Sequence, residues 1–176
     1  MSYIIALIVI VGLIFAYFYR QAGKEIAEEN EREILQIVEK VNNRLSKIQS
    51  VKTTSSKINN CEKALDLLKQ ADRFPGCRKV ITNYDELVDK IERIKKVLPV
   101  GKYIEKAQKH NFKGKDSSEK NSLLDALYEI RTKNITNEDF EIAELHDDQT
   151  GEIVTIEMVE NRLYDLGWEG DSKITR

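Results

Sequence analysis

The chain is poor in the residues that catalysis, metal binding and covalent stapling require. Two cysteines, two histidines, two prolines and one tryptophan occur in 176 residues. Cys61 and Cys77 have no close spacing, so no metal site is expected on them, and Cys61 falls on an apolar stripe where a thiol acts as a small hydrophobe. His110 and His146 lie far apart, and no serine, cysteine or carboxylate shows the spacing of a nucleophile and its base. A glycine-rich phosphate loop is missing, since the "GKD" at 114–116 lacks the rest of that pattern. No enzyme, cofactor or small-molecule substrate is therefore expected. The nearest approach to a metal site is "HDD" at 146–148, one imidazole and two carboxylates, read first as a polar turn and only last as part of a metal-dependent hydrolase.

Scarce proline and glycine leave helices with few obstacles. A charged fraction of 33% and a mean hydropathy of -0.47, despite an apolar opening, imply a strongly hydrophilic helical remainder. The expected class is all-α. It comprises a transmembrane anchor (1–19), an amphipathic connector (20–52), a domain of antiparallel helical hairpins (53–133) and a small acidic C-terminal helical segment (134–176). Charge is unevenly spread: residues 53–133 carry 18 Lys/Arg against 12 Asp/Glu, and residues 134–176 carry 3 against 12. Such asymmetry reads first as two well-solvated surfaces, the alternative being docking of the tail onto the middle of its own or a neighbouring chain.

The opening "SYIIALIVIVGLIFAYFYRQ" holds no charge over residues 3–19. As a helix that run is about 26 Å long, close to the short limit for a hydrocarbon layer of about 30 Å. Tyr3, Tyr17 and Tyr19 sit where aromatic rings prefer the headgroup level. A cleavable signal would need a basic start and small residues at the exit, and "FAYFYRQAGKE" offers bulky or charged ones. Arg20, Lys24 and Arg32 follow the run and nothing basic precedes it, so the expected placement is single-pass, N-terminus outside and body cytoplasmic, as in a bacterial inner membrane. A structural disulfide is then not expected.

Behind the anchor, Ile34, Ile37, Val38, Val41, Leu45, Ile48 and Val51 recur at intervals of three and four. This narrow stripe suits either a short coiled coil with a partner chain or folding back onto the following domain. Ser55 or Ser56 can cap the next helix, whose stripe is Ile58, Cys61, Leu65, Leu68 and Ala71, ended by "RFPG". Val80, Tyr84, Leu87, Val88, Ile91, Ile94 and Leu98 form another stripe, with Thr82 and Asp85 as a capping box and Pro99 as its stop. Tyr103, Ile104, Ala107 and Phe112 make a third, and Leu123, Leu124, Leu127 and Ile130 a fourth. In the tail, Thr136 with Asp139 fits a capping box, and Thr155 caps a last helix closed by Gly167 with Trp168 packed behind it. A strand pairing of "FEIAEL" with "EIVT" is the alternative to a helix at the first of these.

The stretch "AQKHNFKGKDSSEKNSLLDALYEI" resembles one tetratricopeptide-type unit. Ala107 matches the small residue of its first helix, Gly114 the turn glycine, and Ala126-Leu127 the small-apolar pair late in its second. Glu119 stands where that family has a small residue, Arg131 where its closing proline falls, and no second copy occurs at the period of roughly 34 residues. The resemblance implies an interaction scaffold without catalysis.

Lys102, Lys106, Lys109 and Lys113, spaced by four, three and four, place four ammonium groups on one helix face. Such a row reads first as the solvated face of an amphipathic helix, and if it does more, these four are the candidate anion- or partner-binding residues. The expected function is a membrane-anchored, non-enzymatic helical scaffold that holds a protein partner or a second copy of itself. The alternative is binding of anionic lipid, or less favoured of nucleic acid, through the lysine row.

Overall fold

A computed structural model describes residues 2–51, 53–147 and 150–170, residues 2–16 by backbone alone. The chain is all-helical: among the described residues there are seven helices, α1 (Ser2–Ser50), α2 (Thr54–Ala71), α3 (Cys77–Val80), α4 (Tyr84–Asn111), α5 (Asp116–Thr132), α6 (Asn137–Ile142) and α7 (Ile156–Asp165). Among the described residues one antiparallel bridge occurs, joining His146 to Ile153. The anchor expected at 1–19 falls mostly on residues whose side chains lie outside the described ones. Among the described residues, no helix is long and apolar enough to cross a membrane.

α1 runs unbroken from the apolar opening to Ser50. Residues 17–33 are exposed almost throughout, so this part stands alone as a stalk. From Ile34 the stripe turns inward: Ile34 and Val41 are fully buried, and Ile37 and Ile48 nearly so, against α2. Of the two options for this stripe, the chain takes the fold-back. α2 returns alongside α1, and Thr53, not Ser55 or Ser56, caps it by accepting a hydrogen bond from the Ser56 N–H. Cys61, Ala64, Leu65, Leu68 and Ala71 face α1 and α4 as the stripe requires. Both cysteines are buried free thiols, and burial pushes the Cys61 thiol up to about 11.

Two expectations about α4 are corrected. Pro99 does not end a helix but lies inside one, so the second and third stripes are one 28-residue element. The proline costs the bond its missing N–H would make to the carbonyl four residues back, about 3 kcal/mol with its steric clash. Against that, Val97 and Val100 on either side are almost fully buried. Each contributes roughly 1.5–3 kcal/mol on leaving water, and continuing the helix is what buries both. Nor do Thr82 and Asp85 form a capping box: α4 starts from Asn83, which makes no side-chain cap, and Asp85 pairs with Arg78.

α4 serves two cores. Its first half, through Tyr84 and Ile91, closes a core with α1, α2 and α3, while Val97, Val100, Ile104 and Ala107 build a second with α5, α6 and α7. α4 and α5, joined by a turn in which Gly114 has φ 59°, form the expected antiparallel hairpin. Its span, 84–132, exceeds the roughly 34-residue unit that the sequence resembles. Thr136 and Asp139 form the expected capping box of α6, so the "FEIAEL" region is helix first and one bridge afterwards. Thr155 caps α7, and the Trp168 N–H donates to the Leu163 carbonyl past Gly167 at φ 74°. α1 and α2 are antiparallel, as are α2 and α4, so α4 runs in the sense of α1 and carries the second core beyond the end of the first.

Replacing Pro99 by alanine restores one backbone bond and removes the ring clash, offset by greater freedom of the unfolded chain. Urea unfolding of Pro99→Ala should show a gain of about 1–2 kcal/mol. A loss would mean that the packing of Val97 and Val100 depends on the proline.

Candidate partner-binding surfaces

The lysine row lies on the second core. Lys102, Lys106 and Lys109 are exposed on α4, and Lys113 continues their line in the turn after Asn111. The opposite face of the same turns, Val100, Ile104 and Ala107, is buried, which is why the ammonium groups point outward together. None of the four pairs with a described carboxylate. Beside them Phe112, expected in the buried stripe, is 91% exposed, because the helix ends one residue earlier and its side chain leaves the apolar face.

The acidic tail does dock on the basic middle of its own chain, but through other residues. Asp139 is buried at the start of α6, where its Oδ2 accepts from Lys96 Nζ at 3.1 Å and from the Thr136 N–H at 2.9 Å. Arg93 reaches Glu138 at 3.0 Å and Asp139 at 3.6 Å. Burial alone would raise the Asp139 pKa, but the Thr136 N–H and the Lys96 ammonium together outweigh it and hold the carboxyl below its ordinary value. On the other side of α5, Glu119 is 2% exposed and takes two bonds from the Arg162 guanidinium, at 2.7 and 3.2 Å. Glu119 is the residue that departs from the small one of the resembled unit, and its partner on α7 accounts for its presence. Arg131, the other departure, pairs with Glu160 at 3.3 Å and lies over the Trp168 ring. The row itself is left free by the tail.

Besides a hollow of about 380 Å³ at the Arg93–Lys96–Asp139 clamp, two more accompany these surfaces. One of about 320 Å³ lies between α4, α5 and α7 and contains the Glu119–Arg162 pair. The other, about 500 Å³, opens at the seam of the two cores, where the end of α1, the start of α2, the middle of α4 and residues 142–146 meet. No sequence signal marked it, since its walls come from four separated segments. His146 stands at its edge with Nδ1 donating to the Glu144 carbonyl at 2.8 Å. Asp147 accepts from Gln108 at 2.7 Å and from the Thr150 N–H at 2.9 Å, while Asp148 lies outside the described residues. Among the described residues no three His, Cys, Asp or Glu side chains gather as metal ligands. Comparison with known proteins gives no match to any family model, curated protein or solved structure.

The two clamps make distinct predictions. Arg162→Ala leaves the Glu119 carboxylate buried without its partner. With Arg162 itself 39% exposed, the cost should be about 2–3 kcal/mol in urea unfolding, below that of a fully buried pair. A cost under about 0.5 kcal/mol would show the pair to be ornamental. Asp139, with its pKa depressed in the folded chain, contributes stability that is complete above the ordinary carboxylate value near ~3.9 and is lost as pH falls through its folded value. Asp139→Asn should therefore cost about 1–2 kcal/mol at neutral pH and flatten the acid limb of the stability profile below pH ~4. An unchanged limb would assign it to other carboxylates.

Proposed function

We propose that this chain is a membrane-anchored, non-enzymatic helical adaptor that presents its second core to a protein partner on the cytoplasmic side. The observation that carries the reading is α1, one unbroken helix that begins in the uncharged run and ends inside the first core. Residues 3–19 form the span, Arg20, Lys24 and Arg32 keep the following residues on the cytoplasmic face, and 20–33 act as a stand-off of about 20 Å. The anchor raises the local concentration of the body at the membrane, so a modest affinity for the partner suffices. The sequence resemblance of residues 107–130 to one tetratricopeptide-type unit is consistent with a scaffold.

The geometry favours a protein over the chain's own membrane as the target of the lysine row. α1 and α4 run in the same sense, the first core occupies about 24 Å of α1 beyond the stalk, and the row lies further along α4. With α1 continuing its span along the bilayer normal, Lys102, Lys106, Lys109 and Lys113 stand roughly 45–65 Å from Arg20. That exceeds several Debye lengths at physiological salt, about 8 Å each. An acidic partner patch around Phe112 fits the row best.

Two measurements on the full chain test this. After an alkaline carbonate wash it should remain in the membrane pellet, with its C-terminal end shielded from protease added outside intact cells; release or digestion removes the anchor or its orientation. A photo-crosslinker in place of Phe112 should capture a discrete protein adduct. Charge reversal of the four lysines should reduce that adduct by roughly tenfold or more at low salt. An adduct that is indifferent to the reversal takes the row out of the interface.

A further inference from the structure

We propose that the cleft at the seam of the two cores is a binding site for a long-chain carboxylate. It stands apart from the anchor and partner readings, and rests on three properties of the cleft. Its volume of about 500 Å³ falls within the range of small-ligand pockets, roughly 300–1,000 Å³. Its wall is mainly aliphatic, with Ser46 and Gln49 the uncharged polar residues in it, and Leu45, Leu87, Ile94, Leu98, Ile142 and Leu145 all line it while remaining only partly covered by the protein itself. Apolar side chains from both cores thus face one another across a gap that neither core closes. Among the described residues no Phe, Tyr or Trp lines it, which suits a flexible chain better than a planar ligand. The floor from Leu87 to Leu98 extends about 16 Å along α4, the length of an extended chain of about a dozen carbons.

The rim supplies the charge. Lys57, on the first turns of α2, and Lys90, on α4, both border the cleft, and neither makes an ion pair with a described carboxylate. Glu144 and His146 complete the titratable groups around it. Between the two lysines and Glu144, two ammonium groups against one carboxylate leave a surplus of one positive charge. A single carboxylate balances that surplus, whereas a doubly charged phosphate would exceed it. The chain lies along the aliphatic floor and the head meets a rim lysine, Lys57 or Lys90. Occupancy covers the exposed flanks of both cores at once, so the ligand also fastens the seam.

The experiment uses the full chain in phosphatidylcholine nanodiscs, with tetradecanoic acid carrying a carboxyl ¹³C as the probe and empty discs as the reference. The expected result is saturable uptake of one equivalent beyond the empty discs, with a shifted carboxyl resonance and a rise in thermal midpoint of several degrees. Tetradecanol should not displace it. Lys57→Glu with Lys90→Glu should weaken the acid at least tenfold, and Leu145→Trp, which fills the cleft, should abolish uptake. Because both lysines lie at the solvent edge, the double variant still decides the matter if the tryptophan variant fails to fold. Uptake no greater than that of empty discs overturns the proposal and leaves the cleft to a partner's side chains. Equal binding of the alcohol, or indifference to the lysine reversal, overturns it as well.

Discussion

Everything in this fold depends on α4 remaining one helix past its own breakers. Pro99 and Gly101 fall two residues apart in its middle, a pairing that ordinarily marks an end. They persist because the stripe on either side is claimed by different partners, Ile91 by the first core and Val97, Val100 and Ile104 by the second. A helix stopping at residue 98 would leave the second core with α5, α6 and α7 alone, short of the wall on which α5 packs. Gly101 has a further reason to be small. A Cβ there would come within 2.9 Å of the Leu145 side chain, so this glycine lets the segment after α6 lie close against α4.

The charged side chains divide into two populations with different duties. Arg93, Lys96 and Arg131 are committed to carboxylates of the tail, and the tail's own Arg162 to Glu119 on α5; of these carboxylates Glu119 and Asp139 are nearly inaccessible to water. Ion pairs of this kind add little net stability over apolar packing, but a shifted arrangement would strand a carboxylate without its cation. They fix where α6 and α7 sit. The lysines of the outward row take no part in this and remain exposed with Phe112 beside them.

Much of the architecture was legible in periodicity. The stripes of α1, α2 and α5 predicted the faces that are buried, and the caps at Thr136 and Thr155 were readable because their side-chain chemistry is local. What escaped was non-local. Pro99 reads as a stop in any window of ten residues, and only the burial of Val97 and Val100 by elements further along the chain reverses that. Phe112 completes an apolar spacing on paper, yet one residue of helix end sends it to solvent. Glu119 looked like a flaw in a repeat until Arg162, 43 positions later, supplied its partner. The lysine row was legible as a face but not as distal, because that follows from the parallel sense of α1 and α4. The seam cleft could not be read at all, since it is a gap between two cores and no residue type announces a gap.

The stalk at residues 17–33 has an angular consequence as well as a linear one. A helix continuous with the first core transmits orientation: each residue added to or removed from it turns everything that follows by about 100° while changing its height by only about 1.5 Å. The compass bearing of the body about the axis of α1 is thus set by residue count. Two stalks of nearly equal length would aim the same surface in opposite directions, so this segment acts less as a spacer than as an index.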